Sequence, residues 1–258
     1  MAVFWDRVTG VQDAPPGWAV AASAAVALLI VFSPRLWRLT RIAITIAHEG
    51  GHALVSLLSG RRLEGIRLHA DTSGETRSRG RGRGPGIVLT ALAGYLTPPL
   101  LGAGAAALLA THRVTLLLSL LLVMLAATLL MVRNWYGVLA VLATAGALLA
   151  VIWLAPPALR GAFGYGVAWF LLFGGVRPVA ELARTRRQAK RWSPGQRPAS
   201  RHAQAASDAD QLAWLTGVPG ALWVFLFALV ATGALILGAR LLIPWSAQLL
   251  PVRLLSGK

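Results

Sequence analysis

The chain has 258 residues, of which 56% are hydrophobic and 13% are charged, with a mean hydropathy of +0.64. A soluble domain carries roughly 25% charged residues, so this deficit indicates a protein that crosses a membrane several times. The formal net charge is +16, and in a membrane protein basic charge of this kind is typical of cytoplasmic loops. There is no cysteine, which excludes disulfides and leaves His, Asp, Glu or solvent as ligands for any metal.

Seven apolar segments are candidates for membrane-spanning helices, since a span needs about 20 mostly apolar residues. A backbone in lipid must satisfy its own hydrogen bonds, so these segments are predicted to be helical. In chain order they cover residues 18–32, 42–58, 86–110, 114–132, 136–154, 159–176 and 218–242. The predicted fold class is an all-α polytopic bundle of about seven transmembrane helices, within a range of six to eight.

Two polar stretches interrupt the apolar pattern. Residues 61–84 alternate apolar and polar positions around DTSG, which predicts a β-hairpin, and they end in the basic run RSRGRGRG. Residues 177–217 form a basic loop that contains the linker SPGQRPAS. We therefore interpret residues 1–258 as one membrane domain, with two helices in 17–60, the hairpin in 61–84, four helices in 85–176, the loop in 177–217 and the last helix in 218–243.

Basic residues predict the orientation of the chain. With seven spans and a cytoplasmic N-terminus, 17 basic residues face the cytoplasm and 8 face the other side, as the positive-inside rule requires. This orientation depends on an odd number of spans, and it leaves Arg35, Arg38 and Arg41 outside. The N-terminal residues have no basic region leading into an apolar core, so no cleaved signal peptide is expected.

The second apolar segment contains HEGGH at residues 48–52. On a helix, His48 and His52 lie one turn apart on the same face, which is the spacing that grips one zinc ion. Zinc lowers the pKa of a bound water to about 7. Glu49, rotated about 100° from His48, can take a proton from such a water and pass it to a leaving amine. The motif predicts a hydrolytic zinc site; the alternative is a buried polar network or a site that no longer binds metal.

The sequence HEGGHALVSLLSG, followed by a basic hairpin and then by LAGYLTPPLLGA, resembles the site-2 protease family of intramembrane zinc metallopeptidases. More specifically it resembles the compact bacterial branch, peptidase family M-fifty, B-like, over about residues 36–242. The resemblance implies an HExxH helix in the membrane, a Gly-Pro-rich helix packed beside it and one bound zinc ion. It also implies a membrane-spanning protein substrate and a multi-pass location in the bacterial inner membrane.

The third zinc ligand is not specified by the motif. The family usually supplies an aspartate in the pattern N-x-x-P-x-P-x-x-D-G, which is absent here. The stretch SDADQLAWLTGVP resembles the acidic stretch that the B-like branch carries before its last span, and this implies Asp208 as the ligand. Ser207 is expected to cap a helix there, with Asp210 as its capping-box partner. Asp210, Glu181 and the hairpin residue Asp71 remain the alternatives.

Two further features have two interpretations each. The resemblance implies an asparagine that polarises the scissile carbonyl, for which Asn134 is the candidate; the alternative is a helix cap beside the interfacial Trp135. The hairpin could bind an unwound substrate by β-augmentation, or its arginines could anchor it to anionic lipid. The RGRGRG run has no interleaved aromatic residues for base stacking, so no nucleic-acid partner is expected.

The predicted function is that of an intramembrane zinc metalloprotease in which Glu49 activates a zinc-bound water. The rival interpretation is a non-catalytic membrane protein that keeps the metalloprotease-like fold, for which the missing aspartate pattern is the best support. A metal transporter would carry histidines or acids on several spans, whereas here they are nearly confined to the second segment. The sequence predicts no substrate sequence and no oligomeric state.

Overall fold

The computed structural model describes residues 9–13, 15–192 and 207–243. These residues form eight helices and one two-stranded antiparallel sheet, which confirms the predicted helical architecture with a hairpin after the second helix. In chain order the elements are α1 (Gly17–Phe32), α2 (Pro34–Leu58), β1 (Arg62–Leu68), β2 (Gly74–Arg79), α3 (Pro85–Ala110), α4 (Val114–Met131), α5 (Trp135–Leu154), α6 (Pro157–Trp192), α7 (Asp208–Thr216) and α8 (Gly220–Leu242). The predicted linker at 193–200 and the residues before position 9 lie outside the described residues.

Six spans account for the described helices. Helices α3, α4, α5, α6 and α8 are each long and apolar enough to cross a membrane, whereas α1 and α2 qualify only as a pair bent by 98°. Before α1, the backbone N–H of Gln12 donates to the carbonyl of His112, which follows α3. After α2, Ser59 lies against Gly86 at the start of α3. The bent pair therefore traverses the bundle once, and the count of six falls at the low end of the predicted range.

A proline explains the break between α1 and α2. Pro34 has no N–H with which to continue the hydrogen bonds of α1, and Ser33 before it is extended. Helix α1 has 16 residues, about 24 Å at 1.5 Å per residue, which is less than the roughly 30 Å of a bilayer core. Hydropathy alone counts α1 and α2 as two spans, because it detects apolar segments but not the bend between them.

A charged cluster on α6 holds the bend in place. The guanidinium of Arg177 donates to the carbonyl of Val31 near the end of α1 and lies 4.8 Å from the centroid of the Trp37 ring on α2. It also pairs with Glu181 at 2.8 Å, and Arg41 on α2 lies 3.7 Å from the same carboxylate. One arginine thus satisfies a carbonyl that the end of α1 leaves unpaired and fixes both helices to α6.

Much of the predicted basic loop at 177–217 is helical. Helix α6 continues beyond the apolar segment to Trp192, and α7 covers Asp208–Thr216. Charge ends the apolar segment at Val176 but does not end the helix, because Ala, Leu, Glu and Arg all favour helix strongly. Residues that read as a loop therefore supply a helical extension outside the apolar part of the bundle.

The hairpin is fastened to α4 and α5 through β1. The pairing of β1 with β2 runs to Leu68 opposite Gly74. On its other side, Ile66 forms a parallel bridge to Val132, and both Ile66 and Leu68 are fully buried. Among the described residues β2 has no second strand partner, so its outer edge is the free edge of the sheet.

Candidate metal centre

Helix α2 presents two imidazoles to one point. Nε2 of His48 lies 3.1 Å from Nε2 of His52, and the rings are nearly perpendicular at 84°. Nδ1 of His52 contacts the carbonyl oxygen of Thr90 at 2.6 Å, while the His48 ring packs edge-on against Tyr95. These contacts with α3 fix both rings with their Nε2 atoms together, as expected for a pair of metal ligands.

Helix α7 brings Asp208 to the same point. Oδ2 of Asp208 lies 3.2 Å from Nε2 of His48 and 3.2 Å from Nε2 of His52. A break separates α7 from the last span: Gly217 ends α7 with a left-handed φ of 75°, and Pro219 precedes α8. Because of this break α7 can turn into the bundle instead of continuing the axis of α8.

Packing and capping both fix α7. Ala209 and Leu212 are fully buried in a cluster that includes Phe227 of α8. The Ser207 hydroxyl accepts from the backbone N–H of Asp210 and donates to its carboxylate at 2.6 Å. The predicted capping pair of Ser207 and Asp210 is thus confirmed, and Asp208 occupies the first helical position.

The three ligand atoms have the spacing that a tetrahedral metal requires. Two ligands at about 2.0–2.1 Å from a tetrahedral zinc lie about 3.3 Å apart, and the observed separations are 3.1, 3.2 and 3.2 Å. Oδ2 of Asp208 is buried and accepts no hydrogen bond from any described residue. A buried carboxylate oxygen without a donor is costly, and a cation held with the two histidines would satisfy it.

Glycines keep the surroundings of the imidazoles open. A Cβ on Gly94 of α3 would lie 2.5 Å from Nε2 of His48 and closer still to Nε2 of His52. A Cβ on Gly51 would overlap the side chain of Thr97, also on α3. The close approach of α3 to α2 at Gly51 therefore requires a glycine. Gly94, within LAGYLTPP, brings α3 equally close to both histidines.

The hairpin holds the carboxylate of Glu49. This side chain is 4% exposed, and its Oε2 accepts from the Thr76 hydroxyl at 2.6 Å. A Cβ on Gly74 would lie 2.6 Å from Oε1, so only glycine leaves room for the carboxylate. Sequence reasoning missed both hairpin residues, although strand alternation places positions 74 and 76 on one face.

The alternative acidic ligands are engaged elsewhere. Glu181 pairs with the arginines that hold the α1–α2 bend. Asp210 pairs with Arg186, and Asp71 accepts from the N–H and hydroxyl of Ser73 in the hairpin turn. Among the described residues, only His48, His52 and Asp208 form a group of three that could hold a metal ion.

Asn134 fastens the hairpin to α5. Its amide oxygen accepts from the N–H of Leu68 at 3.1 Å, and its amide nitrogen donates to the carbonyl of Leu68 at 2.6 Å. It occupies the N-cap position of α5, but its side chain does not bond the helix backbone. Both polar groups of the Asn134 amide therefore bond Leu68. The carbonyl-polarising role of Asn134 stays a prediction.

The centre lies close to the hairpin end of the bundle. Gly50, between the two histidines, faces Thr128 of α4. Thr128 is three residues before the end of α4 at Met131, which corresponds to about 4.5 Å along the helix. The centre therefore lies in the half of the bundle nearer the hairpin.

An apolar cleft opens beside the motif. It has a volume of about 1770 Å³ and is bounded by residues of α1, α2, α4, α5 and α6. Near the motif its lining includes Gly50 and Gly51, together with Thr97 and Thr128. The cleft therefore reaches the two glycines of the motif, whereas His48, Glu49, His52 and Asp208 do not line it.

Comparison with known proteins identifies one family. A family model described as peptidase M50B-like matches residues 21–238, a range that includes the HEGGH motif and Asp208. No curated protein and no solved structure matches the chain. The resemblance seen in HEGGH and LAGYLTPP is thereby confirmed.

Proposed function

We propose that this chain, which belongs to the M50B-like peptidase family among the site-2 proteases, is an intramembrane zinc metalloprotease. One observation carries the proposal: Nε2 of His48, Nε2 of His52 and Oδ2 of Asp208 lie 3.1–3.2 Å apart. The buried Glu49 follows His48 directly. Two histidines, one carboxylate and an adjacent glutamate are the donor set of a hydrolytic zinc site.

His48, His52 and Asp208 would hold one zinc ion. Bound there, zinc would supply a water of lowered pKa and would polarise the peptide carbonyl. Glu49 would take a proton from the attacking water and give it to the departing amide nitrogen. The Thr76 hydroxyl, bonded to Oε2 of Glu49, would leave Oε1 to carry that proton.

The substrate we propose is a membrane-spanning segment of another protein. The apolar cleft beside α2 reaches Gly50 and Gly51 of the motif, and it would admit an apolar segment from the side of the bundle. A helical peptide bond must be unwound before water can attack it, and β2 has a free edge next to Glu49. Strand addition at that edge would hold the unwound segment by main-chain hydrogen bonds.

We further propose that the hairpin end faces the cytoplasm of a bacterial inner membrane and that the N-terminus lies on the other side. Gln12 and the hairpin lie at opposite ends of α3. Arg113, Arg160 and Arg240 lie at helix ends on the side of Gln12, whereas the seven arginines of residues 61–83 lie at the hairpin end. With six spans the positive-inside rule therefore favours this orientation over a cytoplasmic N-terminus.

The orientation is tested with single cysteines, which this cysteine-free chain makes unambiguous. Val11→Cys and Ala70→Cys place a thiol at two exposed positions, one at each end. A membrane-impermeant maleimide added to intact spheroplasts should label position 11 at once and position 70 only after permeabilisation. The reverse labelling pattern would support the cytoplasmic N-terminus that the sequence predicts for seven spans.

The function is tested first by bound zinc per chain in detergent. Wild type and Glu49→Gln should each hold about one zinc, as expected for three protein ligands and an open position. His52→Ala and Asp208→Ala should lose it, and Glu181→Ala should keep it. Loss of zinc in Glu181→Ala together with retention of zinc in Asp208→Ala would show that Glu181, not Asp208, is the third ligand. A folded wild type that takes up no added zinc would favour the non-catalytic interpretation.

A further inference from the structure

We infer that Arg186 is a positioning residue for the metal centre: it locks α7 in the orientation that presents Asp208 to the two histidines. The inference rests on the proposed function, because it assigns a task to a residue outside the ligand set. It concerns the part of α6 that continues beyond the apolar segment.

One guanidinium contacts the start of α7 and the start of α8. Nη1 of Arg186 donates to Oδ1 of Asp210 and lies within 3.4 Å of the Ser207 hydroxyl. Its Nη2 occupies the space that a side chain at Gly220 would need. Arg186 therefore joins three helices at the junction from which Asp208 projects.

Helix α7 needs directional contacts because it is too short to be stable alone. It has nine residues, and isolated helices below about 12–15 residues are marginal. The break at Gly217–Pro219 uncouples it from the axis of α8. Burial of Ala209 and Leu212 holds it against the bundle, but apolar contact is non-directional. Charge-assisted hydrogen bonds to a planar guanidinium supply direction.

Arg186 also separates the tasks of two neighbouring carboxylates. Asp208 and Asp210 are two residues apart, so they project about 200° apart around the helix. The guanidinium binds Asp210, which leaves Asp208 on the face towards His48 and His52. The acidic stretch thus contributes one ligand and one anchor.

The test is zinc affinity of the full-length protein in detergent, measured by competition with a chromophoric chelator. Arg186→Ala should weaken zinc binding by about 10–100-fold, the usual effect of losing a residue that orients a metal ligand. Arg186→Lys keeps the positive charge but loses the planar guanidinium with its paired donors. Its zinc affinity should fall between those of Arg186→Ala and wild type. Arg187→Ala is the matched control, since Arg187 is exposed and forms no ion pair within the described part of the chain. It should bind zinc as wild type does.

Thermal stability of the metal-free variants separates positioning from general support of the fold. Wild-type zinc affinity in a folded Arg186→Ala, whether or not its metal-free form melts earlier, would overturn the inference and leave the proposed function intact. If Arg186→Ala does not fold, Asp210→Asn removes the anchor instead, and it should weaken zinc binding similarly; wild-type affinity there would overturn the inference. Absence of zinc from the wild type would defeat the proposed function and this inference together.

Discussion

The candidate metal centre consists of two unlike halves. His48 and His52 lie on one turn of α2, a helix of 25 residues, and their spacing alone brings them together. Asp208 comes from α7, a helix of nine residues near the other end of the chain. The difference teaches that local periodicity assembles the nitrogen ligands, whereas tertiary packing assembles the oxygen ligand.

The two halves also differ in how they are supported. The α2 half packs along α3, and Thr90 and Gly94 of that helix contact its imidazoles directly. The α7 half is held by a cap, an arginine and two buried side chains. We therefore expect substitutions at the contacts between α2 and α3 to abolish metal binding. Substitutions in the residues that support α7 are expected to lower the metal affinity.

The largest effect is expected from Gly94→Ala. The new methyl group would overlap Nε2 of both histidines, so bound zinc should fall from about one per chain to near zero. Gly104→Ala is the matched control on the same helix, because nothing lies within 4 Å of a Cβ there. Metal analysis of the purified proteins decides the outcome, and full zinc in a folded Gly94→Ala would contradict the proposed geometry.

A smaller effect is expected from Thr76→Val, which removes the donor to Glu49 while keeping the shape of the side chain. Zinc content should not change, because Thr76 contacts no ligand atom of the group. The kcat for a fluorescein-labelled unfolded protein should fall about tenfold, at the low end for a lost orienting contact, with KM little changed. Thr76→Ser should restore most of the rate. Equal loss in Thr76→Ser would mean that packing, not the hydrogen bond, is what Thr76 provides.

The smallest effect is expected from the helix caps, and it differs between the halves. Ser207 caps α7 through its side chain, whereas Ser33 caps α2 without any side-chain bond. Ser207→Ala should cost about 1 kcal/mol, seen as a lower melting temperature and zinc affinity reduced by a few-fold. Ser33→Ala should be near neutral. Equal effects of the two changes would show that the α7 cap does not contribute to the centre.

The sequence predicts the α2 half well and the rest unevenly. HEGGH encodes its own geometry, so the meeting of His48 and His52 and the place of Glu49 beside them follow from helical spacing. Asp208 came from a resemblance, and the contacts that favour it over Glu181 and Asp210, namely their ion pairs with arginines, arise only in the folded chain.

The features that the sequence does not reveal share one physical cause. The bend between α1 and α2, and the contact of Asn134 with Leu68, depend on partners distant in sequence. Hydropathy and local pattern report the environment of a segment but not its direction or its neighbours. The proposed orientation of the chain differs from the predicted one for the same reason, because it depends on the span count.

The placement of Asp208 on α7 has a consequence for biosynthesis. A chain is made from its N-terminus, so His48, Glu49 and His52 emerge long before Asp208, which follows α6. During that interval the nascent protein has two of the three ligands and cannot form the complete centre. If the proposed function holds, hydrolytic capacity therefore arises only after α7 has been made, and a chain that still lacks α7 is harmless to its neighbours in the membrane.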